Sequence, residues 1–296
     1  MKSAILVAMA GFPVFAAAQP VVIPAAFATS GGGVTPSDTL TREFARTHQQ
    51  VISAAHLAAI PSGSSITQLT LRASNFGTLN PLGSWPPVSL TYTTFDIYLA
   101  RAARSPGSMS TTFSDNVIPG TEVRVRSGAL TIPAGAFSNF VALPGANPWG
   151  LDIQLAPFPY TGGDLILTIR HSGHQTPLTP RLYTDSLINT ASGMQSIGAP
   201  GVAATTGSAE QGQPAIVRVR YIPPAGCYVN CDGSTGSPSL TANDFMCFFN
   251  CFSTDRTKTP ADQVTSYANC DGSTAHPVLN IGDFVCFNSR FAAGCN

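Results

Sequence analysis

The sequence predicts a mainly β protein, with an N-terminal β-sandwich or jelly-roll-like domain followed by a small α-helical, disulfide-rich domain. Three observations carry this. Short β-branched or alternating runs recur at "SITQLTLRA", "VSLTYTTFDIYLA", "TEVRVRSG", "FSNFVAL", "GLDIQLA", "DLILTIRH" and "AIVRVRYI", separated by stretches rich in Gly, Pro, Ser and Asn. All seven cysteines, Cys227, Cys231, Cys247, Cys251, Cys270, Cys286 and Cys295, lie near the C-terminus, so the two parts are stabilised by different means. The chain also writes one sentence twice: "YVNCDGSTGSPSLTANDFMCF" from Tyr228 returns as "YANCDGSTAHPVLNIGDFVCF" from Tyr267.

The chain opens with "MKSAILVAMAGFPVFAAAQP": a lysine, an apolar run from Ala4 to Phe15, and small residues at Ala16, Ala17 and Ala18. That is the pattern of a secretory signal peptide over residues 1–18. The run is too short for the roughly 20 residues of a membrane span, so the expected product is secreted, extracellular or at the cell surface, where disulfides persist. Lys plus Arg and Asp plus Glu balance at 15 each, which excludes a surface built to hold nucleic acid by its phosphates.

Residues 19–225 form the expected β domain, long enough to bury a core without covalent staples. The alanine-rich stretch Thr41–Ile60 admits a short helix within it. No serine-elbow motif, phosphate loop or dinucleotide fingerprint is present. A glycosidase needs two facing carboxylates, and the few here, among them Glu43, Asp96, Asp115, Asp152, Asp164 and Asp185, read as solvated strand ends and turns. "HSGH", His171 and His174, offers two imidazoles to one metal but lacks the glutamate and the helical frame of a zinc-protease motif. Trp85 and Trp149 fall in loops, where they either plug an end of the sandwich or stack on a sugar face.

"IPPAGC" ends this domain, and residues 226–296 form the second, small enough to need staples. Aligning its repeats, 228–252 and 267–291, matches Asn230 to Asn269, Cys231 to Cys270, Asp232 to Asp271, Ser234 to Ser273, Asp244 to Asp283 and Cys247 to Cys286. After each second aspartate comes an apolar stripe at helical spacing: Phe245, Phe248 and Phe252, then Phe284, Phe287 and Phe291. A loop of oxygen-bearing side chains feeding a short helix follows the logic of half an EF-hand.

Both copies, with the closing "RFAAGC", resemble the GC-type dockerin at the C-termini of secreted planctomycete-type bacterial proteins, a relative of the type I dockerins of cellulosomes. The resemblance implies two calcium loops with one helix each, packed about a pseudo-twofold axis, and an attachment role. The partner of ordinary dockerins is a cohesin; here a cohesin-like or other cell-envelope anchoring protein is expected. Through "HQQV", "STTFSDN", "SGALTI" and "APFPYTGGDLILTIR", the β domain is also similar to a group of secreted bacterial proteins with C-terminal sorting signals, which implies a non-catalytic exported sandwich.

Each loop, Asn230–Asp244 or Asn269–Asp283, is fifteen residues long against the twelve of an EF-hand. The expected calcium ligands are Asn230, Asp232, Ser234 and Asp244 in the first copy and Asn269, Asp271, Ser273 and Asp283 in the second, with Thr241 and Asn280 adding a water-mediated contact. A loop held by disulfides alone is the competing expectation. The repeat pairs Cys231 with Cys247 and Cys270 with Cys286, and leaves Cys227 with Cys295 to clasp the ends; a four-thiolate zinc site on the first copy would have no equivalent in the second. Cys251 matches Arg290, which places it on an exposed helix face, as a free thiol or an intermolecular link. The function expected from all this is a secreted non-catalytic structural or binding protein anchored through the C-terminal module; the alternative is a polysaccharide-active hydrolase or carbohydrate-binding subunit delivered by it.

Overall fold

The computed structural model describes residues 19–32, 41–75, 82–139, 144–176, 181–187, 193–209, 213–222, 229–232, 240–264 and 266–294. The expected signal peptide, Cys227, Ser234 and Cys295 lie outside them. The chain divides into two compact units, Met1–Pro223 and Pro224–Asn296. It is mainly β, with a small helical region at the C-terminal end.

Among the described residues of the first unit there are thirteen strands. One antiparallel sheet has the order β1 (Gln19–Ile23), β13 (Val217–Ile222), β3 (Ser64–Arg72), β10 (Trp149–Tyr160). A second has the order β12 (Met194–Pro200), β2 (Arg46–Ile52), β11 (Leu165–His171), β6 (Phe95–Arg101), β7 (Val123–Arg126). Two small ribbons pair β4 (Gly83–Trp85) with β9 (Phe137–Asn139), and β5 (Leu90–Tyr92) with β8 (Leu130–Ile132). The first and last strands of the unit lie side by side, Gln19 opposite Tyr221 and Ile23 opposite Val217.

Period-two alternation explains where the core sits, with one break in β3, where the extra residue Thr67 lies between the pairs Gln68–Arg220 and Ile66–Tyr221. Ile66, Leu69 and Val219 from the first sheet and Ile52, Ile97, Leu165 and Ile169 from the second join one buried cluster. The opposite face of the second sheet is covered as well: Val51, Ala100 and Ile166 pack under Met109 and Val117, and Ile197 and Ala199 under Phe113. This cover is pinned by polar contacts, since Asn116 Nδ2 donates to Gln49 Oε1 at 2.9 Å while Gln49 Nε2 donates to Thr168 Oγ1 at 3.1 Å.

The short helix admitted by Thr41–Ile60 is corrected here. Arg46–Ile52 is a strand buried along its whole length, hydrogen-bonded to β11 on one side and β12 on the other. β-Branched Thr47, Val51 and Ile52 suit that double pairing, and the alanines contribute only the 3-10 turn Ala54–Leu57.

β2 also buries an ionisable group. His48 is 0 % exposed, its Nε2 lies 3.3 Å from Gln50 Oε1, and burial pushes its imidazole down to about 4. The unfolded chain therefore binds a proton between pH 6.5 and about 4 that the native unit does not. Stability is full above pH 6.5 and falls as the pH drops toward 4, by about 3 kcal/mol at about 1.36 kcal/mol per unit. Urea unfolding followed by tryptophan fluorescence should show this slope, and His48→Gln should flatten it. A parent protein equally stable at both pH values would refute the assignment.

Candidate functional site: the paired loops and helices of the C-terminal unit

Helix α1 spans Ala242–Asp255, the short α2 Pro260–Val264, and α3 Ile281–Ala293. The phenylalanine stripes fold onto one another. Phe248, Phe252 and Phe287 are buried together with Val229, Ala268 and Leu279, and Phe245, Phe284 and Phe291 pack against them. The contacts are reciprocal between the copies: Phe248 stacks on its own counterpart Phe287 at 4.1 Å between ring centroids, Phe245 meets Phe287 at 5.9 Å, and its counterpart Phe284 meets Phe248 at 5.4 Å.

Each helix begins in the same way. Thr241 caps α1 and Asn280 caps α3; Thr241 Oγ1 accepts from the Asn243 N–H, and Asn280 Oδ1 from the Gly282 N–H. The N3 aspartate of each reaches back, Asp244 Oδ2 accepting from the Thr241 N–H at 2.7 Å and Asp283 Oδ2 from the Asn280 N–H at 2.8 Å. This is a capping box, with Asp in place of the usual Glu or Gln. The spacing T-x-x-D and N-x-x-D was its signal in the sequence. Thr241 and Asn280, expected as water-mediated metal contacts, are the helix caps.

The other oxygen of each aspartate holds the loop. Asp244 Oδ1 accepts from the Asp232 N–H at 3.2 Å, and Asp283 Oδ1 from the Asp271 N–H at 3.3 Å. Both carboxylates are fully buried. Burial, with the Asp271 carboxylate nearby, raises the Asp283 carboxyl above its ordinary range despite the two backbone donors.

The second loop is described throughout. Gly272 takes a positive φ of 70°, the left-handed turn that glycine adopts without strain. Asn269 Nδ2 donates to the Ser273 carbonyl at 3.0 Å, the Ser273 N–H donates to Asp271 Oδ1 at 2.9 Å, and the Ser273 hydroxyl donates to the Val278 carbonyl at 2.7 Å. Asn269 Oδ1 is buried and has no hydrogen-bond partner among the described residues. A Cβ on Gly282 would fall 2.7 Å from Asp271 Oδ2 and 2.9 Å from Asn280 Oδ1, so the missing side chain leaves space beside both oxygens. This set of amide and carboxylate oxygens is chemically suited to a hard cation such as calcium, and the lone pairs left on hydrogen-bonded carboxylate oxygens keep them able to ligate. Of the first loop, Asn230, Asp232 and Asp244 are described.

Disulfides tie each loop to its helix: Cys231 to Cys247 and Cys270 to Cys286, with Cα atoms 5.7 and 5.8 Å apart. Cys251 is a free thiol, but the expected exposed face is corrected. It is half-buried against the phenylalanine cluster, because a residue four beyond Cys247 lies on the same face of the helix. Its sulfur and those of Cys231 and Cys247 all lie within 4.8 Å of one another.

No protein-family model matches the chain, and no curated protein matches it.

In the β unit six described carboxylates are engaged by donors, and Glu122 is exposed. Glu43 pairs with Arg181, Asp152 with Arg218 and Asp185 with Arg72; Asp96 accepts from the Gly128 N–H, Asp115 from the Ser110 hydroxyl and Asp164 from the Ala54 N–H. His171 and His174 pack edge-on against Tyr92 at 5.2 and 5.5 Å, and each Nδ1 accepts a backbone N–H, from Gly173 and Thr176 respectively. The two imidazoles serve aromatic packing, and no further ligating side chain joins them among the described residues. The tryptophans stand on strands rather than in loops. Trp85 is buried on β4 against Phe137; Trp149 opens β10, with the guanidinium of Arg72 over its ring at 4.8 Å and that of Arg218 at 5.2 Å.

Proposed function

We propose that the chain is an exported, non-catalytic structural or binding protein whose C-terminal unit is a dockerin-like, calcium-binding attachment module. The observation that carries this is the matched construction of the two copies: in each, an oxygen-rich loop is tied to the start of a helix by a buried aspartate and a disulfide, and the two helices pack through reciprocal phenylalanines. We read that reciprocity as a pseudo-twofold pair, and the two larger sheets sharing one core as a β-sandwich.

Calcium would be held by Asn269, Asp271, Ser273 and Asp283 in the second loop and by Asn230, Asp232, Ser234 and Asp244 in the first. Its role is to neutralise the carboxylates crowded at each helix start and so stiffen the loop. Two carboxylates per site and the long loop set a weak affinity, on the order of 10⁻⁴ to 10⁻³ M as in extracellular modules.

The helices leave apolar side chains toward solvent: Met246 and its counterpart Val285 are 56 % and 60 % exposed, and Ile281 76 %. Such side chains suit docking on a protein, which supports a cohesin-like or other cell-envelope partner. The leader-like residues 1–18 support export, and no helix among the described residues is long and apolar enough to cross a membrane. Six of the described carboxylates of the β unit are held by donors, which favours the non-catalytic reading over the polysaccharide-active alternative.

The test uses the full chain as bait on cell-envelope extract, with millimolar calcium or with chelator, beside calorimetry of calcium binding. One envelope protein recovered in calcium, lost in chelator and lost with Met246→Asp plus Val285→Asp is the expected result. Recovery of nothing in either buffer would overturn the attachment role. Absence of binding heat and of a thermal shift at millimolar calcium would leave the repeat as a disulfide scaffold.

A further inference from the structure

The first copy holds a sulfur that the second lacks. Cys251 lies one turn beyond Cys247 on α1, with all three sulfurs of Cys231, Cys247 and Cys251 within 4.8 Å, whereas the matching position on α3 is the exposed Arg290. We propose that the Cys251 thiolate exchanges with the Cys231–Cys247 disulfide, so that the first loop has two covalent registers on its helix and the second loop has one.

The step is internal. The Cys251 thiolate attacks Cys231 Sγ; the new S–S bond forms as the old one breaks, and the electron pair leaves on Cys247, which takes up a proton equivalent to the one Cys251 released. One disulfide and one thiol stand on each side, so no oxidant or reductant is consumed. Helix geometry selects Cys231 as the sulfur attacked. Cβ atoms at i and i+4 are about 5–6 Å apart on a helix, and a disulfide needs about 3.5–4.5 Å. A Cys247–Cys251 bond would therefore distort the turn that carries Phe248, which is fully buried in the phenylalanine cluster. Cys231 belongs to the loop and can follow.

Closing the gap from at most 4.8 Å to the about 2.05 Å of an S–S bond draws Cys231 Sγ by up to about 2.8 Å away from the start of α1 toward Cys251. The Asp232 N–H would then leave Asp244 Oδ1, the bond that ties this loop to the buried aspartate. The resident register is accordingly favoured, and the alternative is a minor state in which the first loop is detached from its helix cap. The second loop keeps the equivalent bond from Asp271 to Asp283. Exchange requires neither a bound cation nor an anchoring partner.

The experiment incubates the oxidised full chain at about pH 8, where thiol–disulfide exchange proceeds, alkylates free thiols, quenches in acid and maps the peptides without reduction. No Lys or Arg separates Cys231 from Cys251, so pepsin, cutting beside Phe248 or Phe249, replaces trypsin and parts Cys247 from Cys251. Most label is expected on Cys251, with about 0.1–10 % on Cys247, the usual share of a minor state, together with a Cys231–Cys251 linked peptide; the Cys270–Cys286 peptide stays intact as the internal control. Label confined to Cys251 after overnight incubation overturns the proposal. In Cys247→Ser incubated with oxidised glutathione, which accepts the two electrons and leaves as reduced glutathione, Cys231 and Cys251 should pair, and finding both alkylated under those conditions would also overturn it. Should that variant misfold, the wild-type map decides alone.

Discussion

Asp185→Ala is expected to destabilise the β unit by about 3–5 kcal/mol, the usual cost of stripping one partner from a buried ion pair. Arg72 is fully buried, and its Nε donates to Asp185 Oδ2 at 2.7 Å while Nη2 donates to the Ser30 carbonyl at 2.6 Å. Asp185 Oδ1 in turn accepts the Gly32 N–H at 2.9 Å. Burial outweighs the attraction of Arg72 and holds the Asp185 carboxyl above its ordinary range, so the pair sits in a dry environment where an abandoned guanidinium is costly. Replacing both partners together, as Arg72→Met with Asp185→Leu, should recover most of the loss, because apolar groups of similar volume often match or exceed a buried ion pair. Urea unfolding followed by fluorescence reads this unit alone, since both tryptophans, Trp85 and Trp149, lie in it. A single variant within about 1 kcal/mol of the parent, the worth of an exposed pair, would contradict the assignment.

Phe248→Ala should cost the C-terminal unit about 3–5 kcal/mol, the range for emptying a buried aromatic site. The ring is 0 % exposed and meets Phe252, Tyr267, Phe284 and Phe287; in a unit this small few other contacts can make up the loss. Hydrogen exchange read by mass spectrometry should show protection falling across Ala242–Asp255 and Ile281–Ala293 together, since each helix is the other's packing surface, with the β strands unchanged. Loss confined to α1 would mean that the helices do not support one another. The disulfides persist in this variant, so the comparison separates what the rings contribute from what the sulfurs contribute.

The C-terminal unit was legible because its determinants are local. The sixteen-residue spacing of Cys231 to Cys247 and of Cys270 to Cys286 recurs in register, and the phenylalanines keep the period of a helix, so pairing and buried face both follow from position along the chain. The capping role of Asp244 and Asp283 was just as local but was masked by their place at the end of a metal-like loop. The half-buried thiol of Cys251 was hidden by comparison with Arg290, although its spacing from Cys247 already put it on the same helix face.

In the β unit the sequence by itself determined the segments of β3, β5, β6, β7, β9, β10, β11 and β13, because alternation and Gly/Pro punctuation need only neighbours, but not those of β1, β2, β4, β8 and β12. What only the tertiary structure decided was which strands meet. Gln19–Ile23 lies beside Val217–Ile222, and no local pattern joins segments so far apart. Arg46–Ile52 became a strand because partners on both edges and cover on both faces satisfy its backbone and side chains, which outweighs the mild helical preference of the alanines that follow. The same holds for chemistry. His171 and His174 offered a ligand pair along the chain that lacked the rest of a metal motif, and it is the contact of both with Tyr92, brought by another strand, that makes them packing residues.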